Sequence, residues 1–316
     1  MRKNLILGTL SAISLGVSSL AAATPVVRSA GVDATPASIT GARDQFRTDL
    51  GGGTVAGPNG SFGDVRREIN WDGTPDRFSA PNNLPPNFFN SNSPRGAEFS
   101  TPGSGVQVSA NSGVAPVEFD NINPSYSSTF GVFSSQRLFT ALGSNIVDVS
   151  FFLPGTSTPA LVSGFGSVFT DVDLGSSTKI EFFDASNASL GVYAVPAGTV
   201  GSESLSFLGV SFTEGPIISH VQITSGNTAL GGGILDGAPL GPDNVVDLVT
   251  MDDFLYATPC ARAGNLRNAA GRLRANYRTG PPQKSPYEVV SKNLREQEVL
   301  FPSYEGGACP NRFALQ

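Results

Sequence analysis

From residue 145 to residue 257 the chain sets apolar against polar positions in short runs. Val147, Val149 and Phe151 alternate with Asp148 and Ser150, and Ile217, Ser219, Val221 and Ile223 alternate with Ile218, His220, Gln222 and Thr224. A period of two sends successive side chains to opposite faces of a strand, one toward a core and the other toward water. Further runs rich in Val, Ile, Phe and Leu stand at 105–110, 116–122, 129–135, 164–174, 179–183, 205–212 and 245–257, separated by Gly, Asn, Asp, Ser or Pro. The segment from Asp184 to Asn187 reads as a hairpin turn. About ten short strands spaced by turns predict an all-β fold, a jelly-roll-like antiparallel β-sandwich.

One helical pattern precedes the strands. Thr35 is placed to cap it, Pro36 fits the first helical position, and Ile39, Ala42, Phe46 and Leu50 form one apolar stripe. Gly51, Gly52 and Gly53 then end it. Such a short helix is expected to pack against the end of the sandwich. Residues 66–103 are broken by Pro, Asn and Gly, which predicts a long ordered loop in place of regular elements. Trp71, Phe78, Phe88, Phe89 and Phe99 in that stretch need burial and would pin it to the core.

After Pro259 the chain turns basic and partly helical, with Ser285, Pro286 and Glu288 in capping-box order. The predicted division is a signal peptide over 1–23, helix and long loop over 24–104, sandwich over 105–259 and a helical C-terminal appendage over 260–316.

The first residues carry Arg2 and Lys3, an apolar run over 5–20 and the triplet Ala21, Ala22 and Ala23. This is the pattern of a secretory signal cleaved before Thr24. The run is shorter than the roughly 20 apolar residues of a membrane-spanning helix. The expected product is secreted, extracellular or periplasmic, with no transmembrane segment after cleavage. In that compartment Cys260 and Cys309 are expected to pair; two separate thiols are the alternative. A loop of that length would be stabilised by about 4 kcal/mol on chain-entropy grounds.

Charge separates the two parts of the mature chain. Residues 24–259 hold 22 acidic and 9 basic side chains, whereas residues 260–316 hold 9 basic and 4 acidic ones. The acidic body would repel phosphates, which argues against a nucleic-acid partner.

Two groups of residues could bind ligands. Asp252 and Asp253 in the closing run, Asp171 and Asp173 on one strand face, and Asp120 before a turn are candidate Ca²⁺ ligands. Calcium takes six to eight hard oxygens. Period two would put Asp252 and Asp253 on opposite faces, so at most one would point inward. The alternative is that these are exposed carboxylates or turn caps. Trp71, the sole tryptophan, stands near Asp72, Asp76, Asn82 and Asn83. An aromatic face ringed by amides and carboxylates suits a sugar; alternatively, Trp71 anchors the long loop in the core.

Enzyme readings have less to stand on. His220 is the only histidine and is expected on an outer strand face, no nucleophile-elbow motif is present, and zinc sites of several His or Cys are excluded by count. Paired carboxylates for glycoside hydrolysis remain an alternative.

The run over 160–256, with F-T-D-V-D, I-E-F-F-D-A, L-S-F-L-G-V-S-F, V-Q-I-T-S-G and M-D-D-F-L-Y, resembles uncharacterised exported bacterial β-sandwich proteins that often carry a PEP-CTERM sorting tail. The upstream I-N-W-D-G and N-N-L-P blocks resemble the N-terminal part of the same group. The tail's Pro-Glu-Pro, apolar helix and final basic cluster are absent here. The closing run is also similar to the last strand of carbohydrate-binding jelly rolls that hold structural calcium. Fold analogy with such sandwiches makes the leading expectation a non-catalytic secreted or cell-surface protein binding a glycan or another surface polymer, with Ca²⁺ as the candidate ion. A structural component of the cell envelope or matrix, and a glycan-active enzyme, are the alternatives.

Overall fold

A computed structural model describes residues 23–110, 118–199, 201–241 and 244–261. The fold over these residues is all-β, with strands numbered β1 to β17 in chain order. The larger sheet has eight strands, all antiparallel. Its main path is β1 (Pro25–Gly31), β12 (Leu205–Phe212), β9 (Gly164–Thr170), β16 (Thr250–Ala257), β3 (Arg66–Ile69) and β2 (Ser61–Phe62). β6 (Phe139–Leu142) joins β16 and also pairs with β5 (Gly105–Val108). The second sheet runs β11 (Ser189–Ala194), β10 (Lys179–Phe183), β13 (His220–Thr224), β7 (Ile146–Phe151) and β4 (Ala97–Ser100). Two small pairs complete the set: β14 (Pro239–Gly241) with β15 (Asn244–Val245), and β17 (Cys260–Ala261) with β8 (Ala160–Leu161).

The inner faces of the sheets pack on each other as a sandwich. Phe182 meets Phe212 at 6.0 Å between ring centroids, and Phe151 meets Phe165 at 6.1 Å. The period-two pattern is realised on β7 and β13: Val147, Val149, Phe151, Val221 and Ile223 are buried, whereas Asp148, Ser150, His220 and Gln222 are half-buried on the other side. The turn after β10 is built as read, with the Asp184 carboxylate accepting from the Ser186 and Ala188 N–H groups at 2.7 and 3.0 Å.

Strands β9, β12 and β16 are buried at every residue, so both faces of the central sheet are covered. Helix α1 (Ala37–Asp49) covers the outer one, lying across β1 and β12. Ile39, Phe46 and Leu50 are buried beneath it. The ring of Phe46 rests on Gly209, where an added Cβ would come within 2.6 Å of Phe46 Cγ. The helix therefore packs on a sheet face and not on the end of the sandwich, because glycines in β9 and β12 clear a flat seat for an aromatic ring. The cap also differs from expectation. Thr35 makes no side-chain cap; the Asp33 carboxylate accepts from the Thr35 N–H at 2.8 Å and from Ser38 Oγ at 3.0 Å.

Residues 70–96 are largely irregular, as expected, but the ends of the 66–103 stretch are regular. The stretch supplies β3 to the larger sheet, β4 to the smaller one and the short helix α2 (Phe88–Ser91). That segment is therefore an integral part of the sandwich. In the reverse direction, residues 118–122 and 129–135 form turns and irregular chain, not strands. Phe119 and Phe130 from these segments, with Tyr126 between them, pack with Leu138, Leu230, Val246 and Leu248 into a second hydrophobic cluster, a lobe beside the main core. The run over 245–257 is likewise interrupted: residues 246–249 separate β15 from β16.

Cys260 is disulfide-bonded. Cys309, the predicted helices of the basic appendage and the signal segment over 1–22 lie outside the described residues. No helix among the described residues is long and apolar enough to cross a membrane.

Candidate metal centre

Asp173, Asp236 and Asp247 converge at the end of β9. One carboxylate oxygen of each lies within 4.8 Å of the others. The three come from separate segments: Asp173 from the turn after β9, Asp236 from the lobe and Asp247 from the irregular stretch that leads into β16. Backbone and side-chain donors fix Asp247. Its carboxylate accepts from the N–H groups of Asp173 at 3.1 Å and Leu174 at 3.3 Å, and from the Ser177 hydroxyl. The Asp247 N–H donates to Asn227 Oδ1 at 2.9 Å. The Asp236 carboxylate accepts from the Leu248 N–H at 2.8 Å.

Asp171 precedes Asp173 by two residues and lies outside the 4.8 Å group. Its side chain is 0 % exposed and neither carboxylate oxygen has a hydrogen-bond partner. Its φ of 68° lies in the left-handed region, as do those of Glu203 at 58° and Glu118 at 47°, a conformation unusual for such residues. Burial, then the charges of Asp236, Asp173, Asp247 and Glu203, pushes the Asp171 carboxyl up to about 9. Burial first, then the carboxylates of Asp173 and Asp247, raises Asp236 to about 6 despite the donor from Leu248. Burial likewise raises Asp173 and Asp247. Every charged neighbour that shifts Asp171, Asp173 or Asp236 is another carboxylate. Anions gathered in this way out of water repel one another unless protons or a cation neutralise them. The group has the donor chemistry to hold a metal ion through oxygen.

Of the five carboxylates expected at a calcium site, the structure brings only Asp173 into this cluster. Asp120 stands on the lobe and acts on Glu118, which burial and then Glu203 and Asp120 raise to about 7. Asp252 and Asp253 lie elsewhere, and not on opposite faces. A β-bulge between Met251 and Phe254 sets both against the single residue Val168 of β9. Extra residues in a bulge break the alternation of faces. Both carboxylates therefore reach Ser134 Oγ, at 3.2 and 2.8 Å. The Asp252 carboxylate also accepts from the Phe133 and Ser134 N–H groups at 2.7 and 3.1 Å. This is a buried acid pair filled by protein donors, which pins the 133–134 segment to β16.

Asp236 and Asp247 were missed because an Asp-Gly pair in a glycine-rich stretch reads as a turn, and Asp247 sits inside the apolar run Val-Val-Asp-Leu-Val. That run carried a signal, since a carboxylate among buried apolar residues needs a partner.

The expected sugar platform is not at Trp71. The indole is 1 % exposed, and one of its faces lies against Phe139, stacked at 4.2 Å and 2°. Phe89, Phe99 and Phe254 surround the rest. A ring this enclosed has no face for a pyranose. Its polar neighbours serve the fold: Asp72 accepts from the Gln136 N–H at 2.6 Å and the Arg137 N–H at 3.2 Å, and Asp76 pairs with buried Arg137 at 2.7 Å. Asn82 and Asn83 are exposed. His220 is half-buried on the outer face of β13, and its neighbour Ser219 donates its hydroxyl to the Asp184 carbonyl at 2.6 Å.

No family model matches the chain, and neither a curated protein nor a solved structure matches it.

Proposed function

We propose that the protein is an exported, non-catalytic module of jelly-roll type that binds a glycan or another surface polymer and is stabilised by Ca²⁺. The observation that carries the cation is the convergence of Asp173, Asp236 and Asp247 from three segments to within 4.8 Å. An all-carboxylate donor set suits a hard, oxygen-seeking ion, and calcium accepts irregular arrangements completed by carbonyls and water. The leader pattern over 1–23 and the disulfide at Cys260 support export, because disulfides persist in oxidising compartments. The test is thermal melting of the protein with Ca²⁺ and with a chelator. Ca²⁺ at 100 times its Kd should add about 2.7 kcal/mol. A midpoint that is the same in both conditions removes the cation from the proposal.

With Trp71 in the core, the polymer reading moves to the outer face of the smaller sheet. Phe183 and His220 stack there across strands at 4.6 Å and 1°. Glu181, Gln222 and Asp148 are paired in register one step along the same face. Rings set among amides and carboxylates on an open strand face suit a sugar chain. The double variant Phe183→Ala, His220→Ala should lose retention by immobilised polysaccharide while melting like the wild type. Retention equal to wild type would remove this face. Self-association with no polymer ligand would favour a structural role in the envelope.

A further inference from the structure

We propose that Arg67 and Arg95 form an oxyanion site at the rim of the sandwich, a seat for one carboxylate or sulfate group. The site is separate from the carboxylate cluster and from the Phe183–His220 face. Arg67 lies on β3 directly opposite Tyr256 of β16, so the two side chains share one side of the larger sheet. That side is the inner one, since Tyr256 packs on Phe151 of the smaller sheet at 5.4 Å. Arg95 approaches from the other layer, two residues before β4. The Tyr256 hydroxyl links the two by donating to the Arg95 carbonyl at 3.1 Å. Both guanidinium groups also meet one turn, whose Asn59 is exposed. Arg67 Nη1 donates to the Asn59 carbonyl at 3.4 Å, and a Cβ on Gly60 would come within 2.7 Å of Arg95 Nη1.

The pair lacks a counter-charge. Arg28, Arg43, Arg47, Arg66 and Arg137 each pair with a carboxylate, whereas no carboxylate among the described residues pairs with Arg67 or Arg95. Glu68 adjoins Arg67 in sequence, but it points to the opposite face of β3, where Arg47 and Arg66 hold it at 2.8 and 2.7 Å. Neutral acceptors take only part of the donor set. Arg95 Nε donates to Ser93 Oγ at 3.2 Å and its Nη1 to the Glu68 carbonyl. Arg67 Nε is buried with no hydrogen-bond partner. Burial pulls the Arg95 guanidinium below its ordinary value, and the charge of Arg67 acts in the same direction. Two half-buried like charges with a donor unmet call for an anion. The planar guanidinium fork matches two oxygens of a carboxylate or sulfate. Because the body is acidic, anions are repelled elsewhere and binding at this point stands above the background.

The experiment titrates the full protein with sodium sulfate, and with sodium chloride at equal ionic strength, and follows the arginine Nε–H and backbone amide signals by NMR. The Arg67 Nε–H and the Asn59 and Gly60 amides should move to a saturating value with sulfate and stay in place with chloride. Arg67→Gln should raise the sulfate Kd about tenfold, with melting as the check that it folds. Shifts that never saturate, or that chloride reproduces, overturn the site, and so does an unchanged Kd in Arg67→Gln. If that variant does not fold, Arg67→Lys carries the test: it keeps the charge, loses the planar fork and must bind sulfate more weakly, and an equal Kd overturns the site. Sulfated dextran, compared per sulfate group with the free ion, separates the two sources. Tighter binding supports an oxyanion carried on a polymer, and equal binding supports a free ion. Neutral dextran should leave the Arg67 signal unmoved, and a shift with it overturns recognition by charge.

Discussion

The indole N–H of Trp71 donates to the backbone carbonyl of Asp252 at 2.9 Å. The bond joins the turn after β3 to the bulged middle of β16, and it runs through the densest part of the aromatic core. Trp71 occupies this place at a φ of 65°, so the chain turns sharply to drive the side chain inward. Trp71→Ala should therefore destabilise the fold by about 3–5 kcal/mol. Trp71→Phe keeps most of the apolar volume but orphans the Asp252 carbonyl, at about 1–3 kcal/mol. Denaturant unfolding ranks the two. A polysaccharide-binding defect in Trp71→Phe without loss of stability would contradict this structural role.

The acid pair behind that carbonyl makes stability depend on pH. Burial first, then the charge of Asp253, raises Asp252 well above the usual carboxylate range; burial also raises Asp253, with Ser134 opposing. Folded values above the unfolded value of 3.8 mean that the folded state binds protons more tightly. The pair's contribution is then complete below about pH 4 and is lost as pH rises through the folded values. Asp253→Asn removes one of the two titrations. The stability difference between variant and wild type should shift in favour of the variant from pH 4 to pH 7. A difference that is flat across that range would show that the pair does not titrate in this way.

Gly209 is set by a packing constraint. A Cβ there would meet Phe46 Cγ, Cδ2 and Cδ1 at 2.6, 2.7 and 2.9 Å. Gly209→Ala should cost about 1–3 kcal/mol by overpacking, and Phe46→Leu in the same chain should recover part of it. A double-mutant cycle reads the coupling. Independent, additive losses would mean that the helix does not seat on this glycine.

Tyr126 closes the lobe from within. Its hydroxyl bonds the carbonyls of Gly231 at 3.0 Å and Ile234 at 3.1 Å. Tyr126→Phe should cost about 1–3 kcal/mol through those orphaned carbonyls. Amide exchange should speed up over residues 229–238 and remain unchanged in β12. A uniform change across the sandwich would show that the lobe and the sandwich open as one unit.

Local patterns carried much of the fold. The alternation around Val147 and Val221, the Asp184 turn and the stripe from Ile39 to Leu50 are short-range features set by strand pleat, turn chemistry and helix period, and they stand where they were read. The need to bury Trp71, Phe88, Phe89 and Phe99 was legible too, because large apolar rings leave water wherever a core exists. Long-range pairing decided the rest. Asp252 and Asp253 share a side because β9 offers one residue against their two, and no period in β16 alone reveals that mismatch. Residues 66–69 and 97–100 become strands because β16 and β7 offer them edges, which outweighs weak local propensity, while the chain between stays largely irregular. Asp173, Asp236 and Asp247 form one group only after β9, the lobe and the approach to β16 meet. Their shared environment is a product of chain topology, and charge in a sequence has no address until distance and burial assign one.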